Sequence, residues 1–258
     1  MSTKIGIVSE GVSDYFILKH ILERYLKEKD VYAIPLKPKI SAQNKQVGFG
    51  TWQGVFDYIK GDDSLIVEAV KEGCEFVVVQ IDTDVSLQYG VENKPNEKEA
   101  FWYEVKAKLV ESVHPDFPKE KLVFAICIQE IECWLIPFVS SSESECQDTD
   151  RCLNIVNKHI RTQGSIDKDN KNCSHAQKLY NTILSRKRKP KEIGECSQYN
   201  YGFARFVEQM DAIAKVYKTS KIHAQQRKQY RGGTAFYPHQ CTRRGSAGNC
   251  YLQCVGSC

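Results

Sequence analysis

Five carboxylates follow apolar runs in this sequence at positions where they could share one task. Glu10 follows Lys4-Ile-Gly-Ile-Val-Ser9, Asp82 and Asp84 follow Glu75-Phe-Val-Val-Val-Gln-Ile81, and Glu130 and Glu132 follow Lys121-Leu-Val-Phe-Ala-Ile-Cys-Ile128. If those runs are strands of an open parallel sheet, their C-terminal ends lie along the edge where such sheets bind ligands. Like charges gathered there raise one another's proton affinity unless a cation neutralises them. Carboxylate oxygens suit a hard cation, Mg²⁺ or Mn²⁺. Asp82 and Asp84, two apart on an extended chain, point the same way and can face one ion. Gly11 would let the chain turn tightly after Glu10 and let a phosphate approach the backbone at a helix N-terminus. Each piece also has a plainer reading. Asp-x-Asp at a strand end is often a cap or turn pair, and Glu130 and Glu132 could be acidic charges at the start of a short helix. The conjunction of all five, in order, favours the metal site.

The elements that must position these residues are legible from periodicity. After Glu10, Phe16, Ile17, His20, Ile21, Arg24 and Tyr25 recur at helical spacing, with Ser13 as a fair N-cap. Val31-Tyr-Ala-Ile-Pro-Leu36 reads as a second strand whose Pro35 favours an end or an edge. Residues 51–72 read as helix, broken near Gly61-Asp-Asp63, and 97–112 as another helix. The run ending at Ile81 is apolar enough to be buried on both faces. Residues 121–128 are the last strand, followed by a short apolar helix through Cys133-Trp-Leu-Ile136. This alternation predicts an α/β fold with a parallel sheet flanked by helices over residues 1–138. Ser140–Glu145 reads as a surface loop. Residues 151–163, 174–186 and 199–218 read as basic helices of an extension, 139–221, packed on the sheet domain. Periodicity stops beyond about residue 222.

Composition narrows the class. The chain has 258 residues, 41% hydrophobic and 26% charged, which excludes a wholly disordered or collagenous protein. No apolar run reaches the roughly 20 residues that span a bilayer, and no signal-peptide pattern follows Met1, so the expected compartment is the cytoplasm with no membrane partner. Residues 1–150 hold 16 Lys and Arg against 26 Asp and Glu, and residues 151–258 hold 20 against 6. An acidic front and a basic back suit carboxylates holding a metal beside a flank that attracts a polyanion, although separate solvated faces would give the same count.

The basic run Arg186-Lys187-Arg188-Lys189-Pro190-Lys191 could contact a nucleic-acid backbone, and equally could be a solvated loop. Tyr199, Tyr201 and Phe203 read as core aromatics rather than base-stacking ones. Cys74, Cys127 and Cys133 lie in or beside apolar runs and read as buried thiols. Cys241, Cys250, Cys254 and Cys258, with His239, could ligate zinc, but without a Cys-x2-Cys knuckle they read as a poorly ordered or altered terminus.

Glu10-Gly11-Val12-Ser13-Asp14 after a first strand, and Asp82-Thr83-Asp84 after a later one, resemble the TOPRIM domain. Glu130-Ile131-Glu132-Cys133-Trp134-Leu135 is similar to a Glu-x-Glu-x-Trp-Leu segment of bacterial TOPRIM-like proteins of the RloB-like and OLD-nuclease-related families, which occur in defence loci. The stretches Ser174–Leu179, with Lys178, and Tyr201–Phe206 look similar to their downstream helices. The resemblance covers roughly residues 3–218. It implies a divalent-metal-dependent nuclease cleaving phosphodiester bonds in DNA or RNA. Glu10 would be the acid/base or a metal-linked carboxylate, Asp82 and Asp84 would hold Mg²⁺ or Mn²⁺, and Glu130 and Glu132 would complete the site. Lys178, Arg186, Lys187, Arg188, Lys189 and Lys191 would bind nucleic acid. It also implies a role in anti-phage defence, with an ATPase from a neighbouring gene as partner. No topoisomerase tyrosine domain or primase zinc module accompanies the motifs. Two alternatives remain: a non-catalytic TOPRIM-fold binding, sensor or scaffold subunit, and another nucleotide phosphotransfer enzyme. Nothing in the sequence sets DNA against RNA or gives the oligomeric state.

Overall fold

The computed structural model describes residues 3–27, 30–40, 46–47, 51–61, 69, 71–94 and 96–215. Four apolar runs form β1 (Thr3–Val8), β2 (Val31–Lys37), β3 (Phe76–Asp82) and β4 (Leu122–Cys127), all parallel, in the order β2-β1-β3-β4. Side chains alternate between two buried layers. Ile5, Ile7, Val78, Val123, Ala125 and Cys127 enter one, and Val8, Val77, Val79, Ile81, Leu122, Phe124 and Ile126 the other. Burial on both faces requires runs without polar alternation, which these strands have. Pro35 lies on the end strand β2, where a missing N–H can face away from the ladder, and the β1–β2 register shifts beside it.

The helices α1 (Val12–Tyr25), α2 (Trp52–Lys60) and α3 (Lys98–Ser112) follow β1, β2 and β3. Helix α2 ends at Gly61, whose backbone is extended; residues 62–68 of the expected 51–72 helix lie outside the described residues. Helix α1 starts two residues earlier than expected: Gly11, not Ser13, is its N-cap. Gly11 has φ −134° and ψ 170°, an extended conformation open to any residue, so the turn does not use glycine's freedom. Beyond β4, the one-turn helices Ile136–Val139 and Glu143–Cys146 precede four longer ones, α4 (Cys152–Ile160), α5 (Ser174–Leu184), α6 (Pro190–Ser197) and α7 (201–215). Cys241, Cys250, Cys254, Cys258 and His239, with the end of the expected 199–218 helix, lie outside the described residues.

Three expectations are corrected. The 140–145 loop contains a one-turn helix, Glu143–Cys146, started by the Ser142 hydroxyl, which accepts from Glu145 N. The basic run is not wholly a loop, because Pro190 opens α6 and the Glu192 carboxylate accepts from both Arg188 N and Lys189 N at 2.9 Å. Proline suits a first helical position, where its missing N–H costs nothing. Cys133 is not a free thiol. It forms a disulfide with Cys152, with the two Cα atoms 4.8 Å apart, which ties the segment after β4 to the start of α4. Cys74 and Cys127 remain free.

The sheet and the later helices share one core, and residues Met1–Lys218 form one compact unit. Trp134, fully buried, stacks on Phe203 at 4.9 Å between centroids and on Phe206 at 5.5 Å. Helix α7 also closes the β4 edge. The Gln209 carboxamide accepts from Phe124 N at 2.9 Å and donates to Phe124 O at 3.0 Å, replacing a neighbouring strand. Phe203 is core, as expected, whereas Tyr199 is exposed. Among the described residues no helix is long and apolar enough to cross a membrane.

A glycine makes the contact between α7 and β4 possible. A Cβ at Gly202 would stand 2.2 Å from the Ile126 carbonyl oxygen, and that oxygen belongs to the sheet backbone and cannot move aside. Gly194 in α6 has open space where a Cβ would go. Gly202→Ala should therefore destabilise by at least the ~1–3 kcal/mol typical of overpacking. Gly194→Ala should stabilise by about 0.5–1 kcal/mol. Urea unfolding of the two variants, read as opposite shifts of the midpoint, checks the packing.

Candidate functional site

The sheet reverses its winding between β1 and β3, since β2 lies on one side of β1 and β3 and β4 on the other. Ligand sites in open parallel sheets favour this crevice at the strand C-termini. Glu10 leaves β1 there and Asp82 ends β3. Gln80, fully buried on β3, joins them: its Oε1 accepts from Glu10 N at 3.0 Å, and its Nε2 donates to Asp82 Oδ1 at 2.8 Å. The Glu10 carboxylate in turn accepts from Asp82 N at 2.7 Å. The next residues are laced to the β4 end. Thr83 N donates to Gln129 O at 2.8 Å, Gln129 N donates to Thr83 Oγ1 at 2.8 Å, and Asp84 N donates to Gln129 O at 3.2 Å. Gln129 has φ 68°, a left-handed turn unusual for a side-chain-bearing residue, at the point where the chain heads into Glu130 and Glu132.

A sixth carboxylate and one ammonium complete the group. Asp14, buried in the first turn of α1, accepts from Gly11 N at 2.7 Å and from Ser13 Oγ at 3.1 Å. Lys171 Nζ lies 2.9 Å from both Glu130 Oε2 and Glu132 Oε2. The other oxygen of Glu132, a fully buried residue, accepts from the Tyr180 hydroxyl at 2.7 Å. Ser13 N at the α1 N-terminus donates to Asn172 Oδ1 at 3.0 Å. At the helix start where a phosphate was expected to approach the backbone, the amides of Gly11 and Ser13 are thus already engaged within the chain.

The electrostatics follow from burial of like charges. Burial lifts Asp82 well above the usual carboxylate range, and Asp14, Glu10 and Glu132 add to the effect. Glu10 is pushed up to about 8, by burial first, with the Asp82 amide opposing and Asp14 and Asp84 reinforcing. Burial also raises Asp14 and Glu132, each opposed by Lys171. Asp84, more exposed, is raised by partial burial and by Glu130. Burial works against the charge on Lys171, but Glu132 and Glu130 outweigh it and hold the ammonium protonated well above its ordinary range. Tyr89, which donates to Asp82 O at 3.2 Å, is raised by burial and then by Glu10, Asp82 and Asp84.

All five carboxylates singled out in the sequence are therefore part of one electrostatic group. Gln80, Asp14, Lys171 and Tyr180 were not singled out. Gln80 was recognisable in principle as a polar residue inside a run buried on both faces, which demands partners. Lys178, the lysine highlighted in α5, is exposed, and the lysine that reaches the carboxylates is Lys171 in the preceding loop. Arg186, Arg188, Lys189 and Lys191 are exposed and Lys187 is half-buried around the start of α6. Cys173 caps α5, its Sγ accepting from Ala176 N, and His20 is half-buried on α1.

Hard oxygen donors crowded in a partly desolvated group are the chemistry that a small divalent cation neutralises. Glu10, Asp14, Asp82, Glu130 and Glu132 are engaged with protein donors in this conformation, and among the described residues no three His, Cys, Asp or Glu side chains are grouped to hold one ion. Compared with protein-family models, curated proteins and solved structures, the chain gives no match.

Glu10 makes the group's charge readable in solution. Below its ordinary value of 4.5 the side chain is protonated in both folded and unfolded chains; between there and about 8 only the folded chain keeps the proton. The stability Glu10 contributes is thus complete below about 4.5 and lost as pH rises through about 8. Glu10→Gln retains an acceptor for Asp82 N and does not titrate. In EDTA, the melting temperature of wild type should fall relative to that of Glu10→Gln between pH 5 and 9. Parallel pH profiles would show that Glu10 ionises normally.

Proposed function

We propose that this chain is a divalent-metal-dependent nuclease of TOPRIM type, hydrolysing phosphodiester bonds in DNA or RNA. The observation that carries the proposal is the contact between the ends of β1 and β3 at the sheet's switch point, where the Glu10 carboxylate accepts from Asp82 N at 2.7 Å. The resemblance of Glu10–Asp14, Asp82–Asp84 and Glu130–Leu135 to TOPRIM-like defence proteins supports the same reading. Glu10, Asp82 and Asp84 would hold Mg²⁺ or Mn²⁺. When bound, such an ion stabilises charge on phosphoryl oxygens and lowers the pKa of a coordinated water. In the metal-free chain burial raises Glu10 to about 8, so as the acid/base it would carry a proton for a leaving oxygen, whereas an ion bound to it would favour its ionised form. Gln80 holds the Glu10 backbone and the Asp82 carboxylate in register, so the two acids present a fixed geometry.

The exposed basic residues Arg186, Arg188, Lys189 and Lys191, with Lys187 and Lys178, supply affinity for the phosphate backbone rather than chemistry. A role in anti-phage defence and a neighbouring-gene ATPase as partner follow from the same resemblance and complete the proposal. The second reading, a non-catalytic scaffold that binds nucleic acid, is favoured by the absence among the described residues of three acidic side chains grouped on one point.

Cleavage decides between them. Asp82→Asn keeps an acceptor for the Gln80 amide while removing the charge, so the fold should survive. Wild type should cut single-stranded or duplex DNA or RNA with Mg²⁺ or Mn²⁺ and not in EDTA, and Asp82→Asn should lose at least a hundredfold in rate. Equal cleavage by the variant, or cleavage in EDTA, overturns the mechanism; no cleavage of any substrate by wild type favours the scaffold. For the basic run, replacing Lys187, Arg188 and Lys189 with Ala should weaken nucleic-acid binding and flatten the slope of log K against log salt by up to roughly 3. An unchanged slope would assign the run to a bystander surface.

A further inference from the structure

The chain that leaves Asp84 makes one 3₁₀ turn, Ser86–Tyr89, closed by Gly90, whose φ of 83° suits glycine. The turn sends its residues two ways. Tyr89 is buried, and its hydroxyl donates to Asp82 O at 3.2 Å, at the acidic edge. Leu87 is 70% exposed. Against this turn lies the start of α2. Thr51 caps that helix, its hydroxyl accepting from Gly54 N at 3.2 Å, which sets Trp52 at the first helical position. The indole Nε1 of Trp52 donates to Gln88 Oε1 at 3.1 Å. Trp52, Phe56 and Tyr89 form one aromatic group, with ring centroids 5.5–5.9 Å apart.

Of the three tryptophans, Trp102 and Trp134 are buried and Trp52 is half-buried. Their surroundings differ too. Phe203 and Phe206 lie nearly flat on Trp134, with interplanar angles of 8° and 29°. Phe56 and Tyr89 meet Trp52 at 81° and 58°, so neither ring lies flat on its indole.

We propose that Trp52 stacks on an unpaired base of the substrate, so that the nuclease reading above, on which this rests, narrows to single-stranded nucleic acid. Tyr89 argues for a base rather than another apolar partner. The same side chain touches the indole and the backbone of Asp82, so whatever covers Trp52 lies beside the acids proposed to act on a phosphodiester. A base flanking that phosphodiester is the flat, apolar-faced part of the substrate, and base–aromatic stacking tolerates any sequence. The Gln88 hydrogen bond holds the indole plane before the substrate arrives, which lowers the ordering cost of stacking. In a duplex each base is already stacked between its neighbours, so an intact helix cannot use the platform.

Binding by the full chain, measured in EDTA and again with Ca²⁺, tests this without relying on cleavage. The probes are single-stranded oligothymidylate, the matching abasic strand and the duplex with oligoadenylate. Oligothymidylate should quench the tryptophan fluorescence of wild type and the abasic strand should not, because Trp52 is the indole that a ligand can reach. Trp52→Leu keeps an apolar side chain against Phe56 and Tyr89. It should bind oligothymidylate roughly tenfold more weakly, and leave abasic-strand and duplex affinity within about twofold of wild type. Trp52→Phe should stay within about threefold of wild type on oligothymidylate. If Trp52→Leu does not fold, the contrast in wild-type quenching between the base-bearing and abasic strands carries the test. Equal quenching by those two strands would overturn the platform and leave the nuclease reading standing. So would equal oligothymidylate affinity of wild type and Trp52→Leu, the result expected if this surface serves an apolar protein partner. Wild type that binds no strand in either buffer would overturn the nuclease reading beneath, and the platform with it.

Discussion

A single buried carboxamide holds the acidic edge together. Gln80 is the one fully buried polar side chain in the interior of β3, and it connects the backbone of Glu10 to the carboxylate of Asp82. A polar group of this kind is costly to bury unless both its ends are paired. Here the pairing does two things at once: it satisfies the amide, and it places two acids from strands far apart in sequence within one hydrogen-bonded ring. The raised proton affinities of Glu10 and Asp82 follow first from burial, and then from the carboxylates gathered around them, Asp14 and Asp84 for Glu10, and Asp14, Glu10 and Glu132 for Asp82.

The rest of the chain supplies what the sheet lacks, which is compensating charge and rigid walls. The stack of Trp134 on Phe203 and Phe206 anchors the segment that carries Glu130 and Glu132, and the disulfide from Cys133 to Cys152 binds the same segment to α4. The loop between α4 and α5 then returns Lys171 to those two carboxylates. An acidic front half and a basic back half, visible only as a count in the sequence, thus become a specific contact between one loop and one strand end.

The strands and the acids at their ends were legible because a run buried on both faces leaves an unmistakable apolar signature, and the first polar residue after it marks the edge. What could not be read were the pairings over long separations. Lys171 meets Glu130 across 41 residues, and no periodicity connects a lysine in a polar loop with a carboxylate after a strand. The Cys133–Cys152 bond obeys no recognisable spacing and arises only because the fold brings the two Cα atoms together. Helix α6 did leave a local signal, Pro190 followed by Glu192, but the surrounding positive charges made the stretch look like a loop. Ser13 looked like a cap because serine often is one; the chain entered the helix two residues earlier, and Asp14 took the role of holding the Gly11 amide.

The embrace of β4 by α7 bears on where this protein can be cut. The sequence invites a boundary near residue 138, between an alternating α/β stretch and a helical one. Severing there would strip Gln209 from Phe124, leave a raw strand edge open to solvent, and uncover Trp134, whose stacking partners all lie beyond residue 137. Such a fragment would present an unpaired ladder to any neighbouring chain, the usual seed of aggregation. The smallest piece that can stand alone is therefore set by the last helix that touches the sheet rather than by the last residue of the motifs.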